Sequence, residues 1–420
     1  MSKPVVAIVD PYTSSAMLAP ALREAGLSPV AVMDYTGPEL APLHGSHVAQ
    51  NYDALINHHG DFDETTERLA RLEPTAVIPG VEASLRLAEH LATELVPHRT
   101  NVPGKVEARR HKYQMHQALA AAGLPIAKQF CTASEEEAAA WIEREGMTGR
   151  DLVLKPTMSA GTIGVTVAPR GEGWREKFRG LLGNRDKLGV VNEDVLLQEH
   201  MSGTEYVVDT VSHDGKHSVT DMLKYRRVRY GDGMAVYDSV EWIPYDTDEY
   251  RDLIAYGLGA LDAIGLRWWG AHTEIMMTDD GPRLLEVNCR LAGAGNPAVT
   301  AIATGGSQVT RVVDICAGRG ADLPNGFNLQ RRVMAVFLMA HSSGMVRNAE
   351  IFEKARNLPS YHSPVHLVST GDVVEASTDL FASMGMGYII LAHDKAEQVY
   401  ADREAIRELE QELIIEPVAG

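Results

Sequence analysis

An α/β protein of several lobes is predicted by three features of the sequence. Short β-branched runs alternate with amphipathic stretches over the first hundred residues, Pro103-Gly104 breaks that pattern, and a strand–turn–strand signal surrounds Asp279-Asp280-Gly281-Pro282. At about 100–200 residues per domain, the 420 residues hold two or three domains. Hydrophobic residues at 45% and charged residues at 23% allow a sizeable core and exclude a disordered chain.

In the first lobe Val5 to Val9 reads as a buried strand, Ala16 to Gly26 as a glycine-closed helix, Pro29 to Met33 as a second strand and Ala76 to Ile78 as a third. The third strand feeds a helix from Glu82 to Leu95. Such alternation implies right-handed crossovers and a parallel sheet, a Rossmann-like layout. The first turn, Asp10 to Ser15, lacks the GxGxxG that lets a dinucleotide approach the backbone, so a nicotinamide cofactor is not expected there.

Beyond the break, Val106 to Gly123 reads as one helix stopped by Gly123-Leu124-Pro125. A strand from Leu152 to Leu154 delivers Lys155, followed by the small-residue segment Ser159 to Val165 and by strand, turn and strand from Val195 to Asp209. A helix is expected between Tyr250 and Ile264, and strands at His272 to Met276 and Pro282 to Val287. The runs Val333 to Ala340, Val365 to Ser369 and Tyr388 to Ala392, closed by a helix from Glu404 to Leu413, read as a last α/β subdomain. The domain reading is 1–104, 105–200, 201–327 and 328–420.

Thirty-nine basic against 57 acidic residues leave a net charge of −18, which disfavours a nucleic-acid-binding module. Cys131, Cys289 and Cys316 form neither a disulfide framework nor a CxxC site. No run approaches the roughly 20 apolar residues of a membrane helix, and the expected setting is the cytoplasm.

Glu274 and Glu286 flank the predicted turn, so a hairpin would bring two carboxylates face to face. That arrangement is costly unless a cation sits between them, and hard oxygen ligands favour Mg²⁺. Asn288 and Arg290 follow at period two and share the face of Glu286. The competing reading is a solvated edge strand. Lys155 beside a glycine-containing segment adds a phosphate-neutralising cation, while Gly161 and Gly164 do not spell a Walker loop. His58-His59-Gly60-Asp61-x-Asp63 has metal-like spacing but reads as a surface loop. In the basic cluster Lys224 to Arg229, Arg226 is a candidate anion contact. Glu82 stands where parallel sheets bind ligands and is a candidate for a substrate ammonium, against a plain helix-dipole role. Gly293 and Ala294 leave room beside Arg290 for a substrate side chain, and alternation turns Cys289 into the core.

The ordered set Lys112, Lys155, the glycine segment, Gln198-Glu199-His200-Met201, Glu205, Glu274 and Glu286-x-Asn288-x-Arg290 resembles the ATP-grasp superfamily. Three passages carry the likeness: Leu152 to Pro156, Leu197 to Tyr206 and Leu284 to Arg290. The resemblance implies an ATP-grasp fold with a Rossmann-like N-terminal lobe and a C-terminal α/β subdomain. It also implies ATP contacts from Lys112, Lys155, Ser159, Ala160 and Gly161, an adenine hinge at Gln198, Glu199, His200 and Met201, and a ribose contact at Glu205. Glu274, Glu286 and Asn288 would hold two Mg²⁺ ions, with Mn²⁺ able to substitute, and Arg290 would face an acyl phosphate.

Lys155-Pro156, Ser159-Ala160-Gly161 and His272-Thr273-Glu274 look most like the dipeptide-forming L-amino acid ligases. The expected activity is an ADP-forming carboxylate–amine ligase for amino acids or an acyl-amino acid. Its partners are small molecules, without nucleic acid or membrane, and a homodimer is left open. The rivals are an ATP-grasp enzyme with a bicarbonate or purine-pathway acceptor and a catalytically silent nucleotide-binding regulator.

Overall fold

The computed structural model describes residues 3–36, 38–158, 163–185, 190–228, 236–245, 247–378 and 385–418. Four strands, β1 (Val5–Val9), β2 (Ser28–Asp34), β3 (Ala54–His58) and β4 (Pro74–Pro79), form a parallel sheet in the order β3-β2-β1-β4. Helix α1 (Leu18–Glu24) joins β1 to β2, α2 (Phe62–Ala70) joins β3 to β4, and α3 (Leu85–Leu95) follows β4. β3 carries no clear apolar signal because it is a short edge strand ending in Asn57-His58. Its last residue corrects the surface-loop reading: His58 is buried and its Nδ1 lies 2.8 Å from Thr65 Oγ1. Asp61 accepts the Glu64 amide as the N-cap of α2, so this motif is structural.

The single helix expected from 106 to 123 is two, α4 (Val106–Arg110) and α5 (Lys112–Ala121). His111 is extended between them, and the Lys112 amide donates to Thr157 O at 3.0 Å. A second sheet combines β5 (Gln129–Thr132), β6 (Leu152–Lys155), β7 (Thr166–Ala168) and β8 (Val195–Glu199) in the antiparallel order β5-β8-β6-β7. α6 (Glu135–Arg144) and α7 (Trp174–Leu181) cover it through Trp141, Ile142 and Phe178.

The segment expected as strand, turn and strand from 195 to 209 parts two sheets, because the chain leaves β8 and enters β9 (Thr204–His213) of a larger one. That sheet continues with β10 (Lys216–Val228), β11 (Val236–Trp242), β12 (Trp269–Thr278), β13 (Gly281–Asn288) and β14 (Arg332–Phe337). Helix α8 (Arg251–Ala263) packs its Leu253, Ala260 and Leu261 against Val208, Ile275 and Leu284. Helices α9 (Asn296–Thr304) and α10 (Gln308–Cys316) follow β13.

After 328 the chain first extends the same large sheet. β14 adds to β11, and after a short β15 (Gly344–Val346) come β16 (Tyr361–Val365), a brief β17 (Val373–Val374) and β18 (Tyr388–His393). The eight-stranded antiparallel order is β13-β12-β9-β10-β11-β14-β18-β16. β15 and β17 form a small sheet with β19 (Ile415–Glu416). The last helix is Ala396–Gln411, starting eight residues earlier than expected. One core joins Val207, Leu223, Val240 and Trp242 to Val333, Ala335 and Ile390, so the strands before and after 328 share their buried surface.

Candidate active site

The site is built on the face shared by β9, β12 and β13. Thr278 pairs with Gly281 across the two-residue loop Asp279-Asp280. Counting back from that pair, Glu274 falls opposite Leu285, and the carboxylates miss each other by one residue. A β-bulge between Glu274 and Ile275 inserts Leu285 and shifts the register, so Glu274 faces Glu286 and His272 faces Asn288. The Leu285 carbonyl lies 3.4 Å from Nε2 of the buried His116 on α5.

Asn288, 7% exposed, donates its Nδ2 to Glu286 Oε1 at 3.0 Å and to Glu274 Oε1 at 3.4 Å. The edge strand is therefore not a solvated face. The break at His111 explains how Lys112 enters: from the first turn of α5 its Nζ lies 2.6 Å from Glu286 Oε2. Burial works to raise the Glu286 carboxyl, but the Lys112 charge and hydrogen bond, the Asn288 amide and Lys155 outweigh it and hold it at about 2.

Lys155 ends β6 and is buried. Burial and the Lys112 charge bring its ammonium down to about 8 against the opposing pull of Glu286 and Glu274. Lys155 pairs with Leu196 and Val153 with Gln198, which puts Lys155 and Gln198 on one face of the second sheet. Gln198 is buried and donates to Gln129 Oε1 at 3.3 Å. Glu199 Oε1 accepts the Lys128 amide at 2.8 Å, the His200 amide bonds Asp151 O, and Met201 follows in the connection to β9. Ser159, Ala160 and Gly161 lie outside the described residues.

Glu205 is buried, ion-paired with Arg227 and bonded by Tyr237, whose hydroxyl donates to Oε1 at 3.1 Å. Burial raises its carboxyl even so, and the Glu274 charge adds to the rise. The basic cluster thus reaches the site through Arg227. Arg226 points the other way, two-thirds exposed, with Nε 3.5 Å from Asp238. Alternation along β10 decides this, and either arginine was open to that choice in a sequence without a register.

Arg290 does not stand free over the carboxylates. Its guanidinium grips Glu82, with Nε 2.8 Å from Oε1, and Nη1 donates to the Leu291 carbonyl at 2.8 Å. Glu82 begins the 3-10 turn after β4, so this pair ties the N-terminal sheet to the end of β13. The helix-dipole reading of Glu82 gives way to an ion pair. Burial works to lower the Arg290 pKa, but the charges of Glu82, Glu274 and Glu286 raise it overall. The segment after Arg290 is clasped from two sides: the Gly295 amide donates to Ser14 Oγ at 3.2 Å and the Tyr388 hydroxyl to Ala294 O at 2.8 Å. Ala294 sits at φ 53°, and Gly293 lies near the Arg290 guanidinium. Cys289 is buried in the core on the opposite side, as alternation requires.

The sequence assigns His272 no role beyond its place in the passage His272-Thr273-Glu274, because a lone histidine on a strand has no distinguishing spacing. Its Nδ1 lies 2.7 Å from Asp209 Oδ1 and its Nε2 3.5 Å from Glu274 Oε1. Burial works to lower its pKa, but Asp209 and Glu274 lift it to about 10.

The donor set fits a hard divalent ion. Two opposed carboxylates and an amide are within reach of one another, and lysines stand beside them for an anionic ligand. Among the described residues no group of three or more His, Cys, Asp or Glu is placed to hold a metal without that amide. Also among them, no helix is long and apolar enough to cross a membrane.

Residues 110–295 match the family model described as the ATP-grasp (A) domain of phosphoribosylglycinamide synthetase. The chain is 26% identical over 415 residues to dapdiamide A synthase of Enterobacter agglomerans, covering 97% of this chain and 96% of that protein. It is 24% identical over 277 residues to alanine–anticapsin ligase of Bacillus subtilis (strain 168), covering 60% and 56%. An L-amino acid ligase from Bacillus licheniformis superposes with a TM-score of 0.74 at 16% identity, covering 100% of both chains.

Proposed function

We propose that this chain, an ATP-grasp ligase, joins an amino acid or acyl-amino acid to a second amino acid with release of ADP and phosphate. The single observation that carries the reading is the Glu82–Arg290 pair at the rim of the opposed carboxylates. A carboxylate and a guanidinium held side by side are complementary to a zwitterion, whose ammonium would take Glu82 and whose carboxylate would take Arg290. The similarity to dapdiamide A synthase and alanine–anticapsin ligase supports the same class.

In this reading Glu274, Glu286 and Asn288 hold Mg²⁺, which supplies charge neutralisation at the terminal phosphates. Lys112 and Lys155 take the remaining phosphate charge, and Gln198 to Met201 border the base. A substrate carboxylate oxygen attacks the γ-phosphorus of ATP and ADP leaves. The amine nitrogen then attacks the carbonyl carbon of the acyl phosphate, phosphate departs with the bonding pair, and the nitrogen loses a proton. Arg290 stabilises the negative charge that grows on the carbonyl oxygen. Burial of Lys155, Asn288 and Glu205 keeps water from these charges and strengthens each contact.

ADP and phosphate release measured across a matrix of amino-acid pairs tests the proposal. Turnover that needs both members of a pair supports it, and AMP as the main nucleotide product overturns it. The matched domain description favours one second reading, a purine-pathway acceptor in place of the second amino acid. Turnover that needs a nucleotide and ignores every amino-acid pair would select that reading.

A further inference from the structure

Asp209 and His272 lie behind Glu274 in the site, and nothing in the reaction above uses either of them. Asp209 is fully buried on β9, and the register puts it directly opposite His272 on β12. His272 and Glu274 are two residues apart on the same strand and share a face. His272 is 6% exposed, and its imidazole lies between two carboxylates, at 2.7 Å on Nδ1 and 3.5 Å on Nε2. Both ring nitrogens thus face carboxylates of the protein itself.

We propose that His272, anchored by Asp209, is a positioning residue that fixes the rotamer of Glu274 so that its second oxygen meets the divalent ion beside Glu286. The proposal rests on the assignment of Glu274, Glu286 and Asn288 as the ion's ligands. Its physical content is asymmetry. Glu286 is steadied by Lys112 at 2.6 Å and by Asn288 at 3.0 Å, whereas among the described residues Glu274 has the longer Asn288 contact at 3.4 Å besides His272. A glutamate carboxylate at the end of three side-chain torsions loses entropy when an ion fixes it, and a partner that has already fixed it removes that cost from binding. The rigid ring suits this better than a lysine, because one planar group spans the gap between Asp209 and Glu274. Outer partners of ligating groups generally matter by about 10–100-fold in metal affinity.

The test is Mn²⁺ binding to the full chain in the presence of ADP, followed by the loss of the free-ion electron paramagnetic resonance signal. His272→Leu should weaken Mn²⁺ binding by about 10–100-fold while ADP affinity without metal stays unchanged. His272→Gln, which keeps a donor near Glu274, should recover part of the loss, and Asp209→Asn should lie between wild type and His272→Leu. In a Glu274→Gln background, His272→Leu should cost nothing further. Thermal melts accompany each variant, so a misfolded His272→Leu is replaced as the readout by the folded His272→Gln. Wild-type Mn²⁺ affinity in a folded His272→Leu or His272→Gln variant overturns the proposal, as does a full additional loss in the Glu274→Gln background. A wild-type chain that binds no Mn²⁺ with ADP overturns the ligand assignment itself, which separates the two failures.

Discussion

Glu286 answers to several partners at once: a lysine ammonium at 2.6 Å, an amide at 3.0 Å and an opposed carboxylate across the strand pair. Glu286→Gln removes one negative charge without opening a cavity. ADP release should fall by about 10²-fold or more, equivalent to about 3 kcal/mol of barrier, while the melting temperature stays within a few degrees of wild type. Nucleotide product assays beside circular dichroism melts check both halves. Lys155 makes a second prediction. In the free protein its ammonium is charged below about 8 and neutral above. A phosphate ligand needs the charged form, so binding above that pH must take up a proton. The ADP dissociation constant should rise by up to about tenfold per pH unit above pH 8, and Lys155→Arg should flatten the rise, because a guanidinium keeps its proton. Calorimetric titration between pH 7 and 9.5 decides it, and an equal slope in the arginine variant would assign the effect to another group.

At the scale of elements, two junctions hold the site together. Glu82 and Arg290 join the end of β4 to the end of β13, both largely buried. Glu82→Gln leaves a buried guanidinium without its counter-charge and should cost about 3 kcal/mol, read in urea denaturation. The double variant Glu82→Met with Arg290→Met should recover most of that loss, since neither side then buries a lone charge. Gly80 governs the approach to this turn. A Cβ there would lie 2.2 Å from the Asp10 carbonyl oxygen, while its amide donates to Val9 O at 2.8 Å. Gly80→Ala must push β4 away from β1 and carry Glu82 with it. A loss of about 1–3 kcal/mol is expected, with a fall in ligase turnover larger than in a control such as Gly180→Ala, where the new methyl meets nothing.

The whole molecule is organised by the eight-stranded sheet. β14 and β18 continue it past residue 328, and the C-terminal helix locks on through Arg403 and Arg407, which both hold Asp238 of β11. Tyr388 reaches from β18 to the Ala294 carbonyl beside Arg290. A chain ending at residue 327 would expose the edge of β11 together with Val240 and Trp242. It should be recovered as aggregate, and size-exclusion chromatography of the truncated chain checks this. A monodisperse, folded 1–327 fragment would show that the C-terminal strands form an independent unit.

Much of this was legible from local signals. The α/β class and the ATP-grasp resemblance rested on strand and helix alternation and on residues whose spacing matches their chemistry, and the family match and the structural likeness bear both out. Period-two spacing on β13 needs no tertiary information, because successive side chains of any strand alternate. Long-range geometry was not legible. The bulge that sets Glu274 opposite Glu286 depends on how the strand pair packs against the α5 side of the molecule, the inward turn of Arg227 depends on the register of β10, and the break at His111 depends on Thr157 accepting the Lys112 amide. The Glu82–Arg290 pair spans 208 positions, and the Asp209–His272 pair spans 63. Local propensity carries no record of such distances. The sequence by itself determined which chemical groups the protein possesses and which strands and helices carry them, since these follow from nearest-neighbour sterics and apolar periodicity. Only the tertiary structure decided which charges meet, because a buried charge goes to the partner that the packing of separate elements brings within hydrogen-bonding reach.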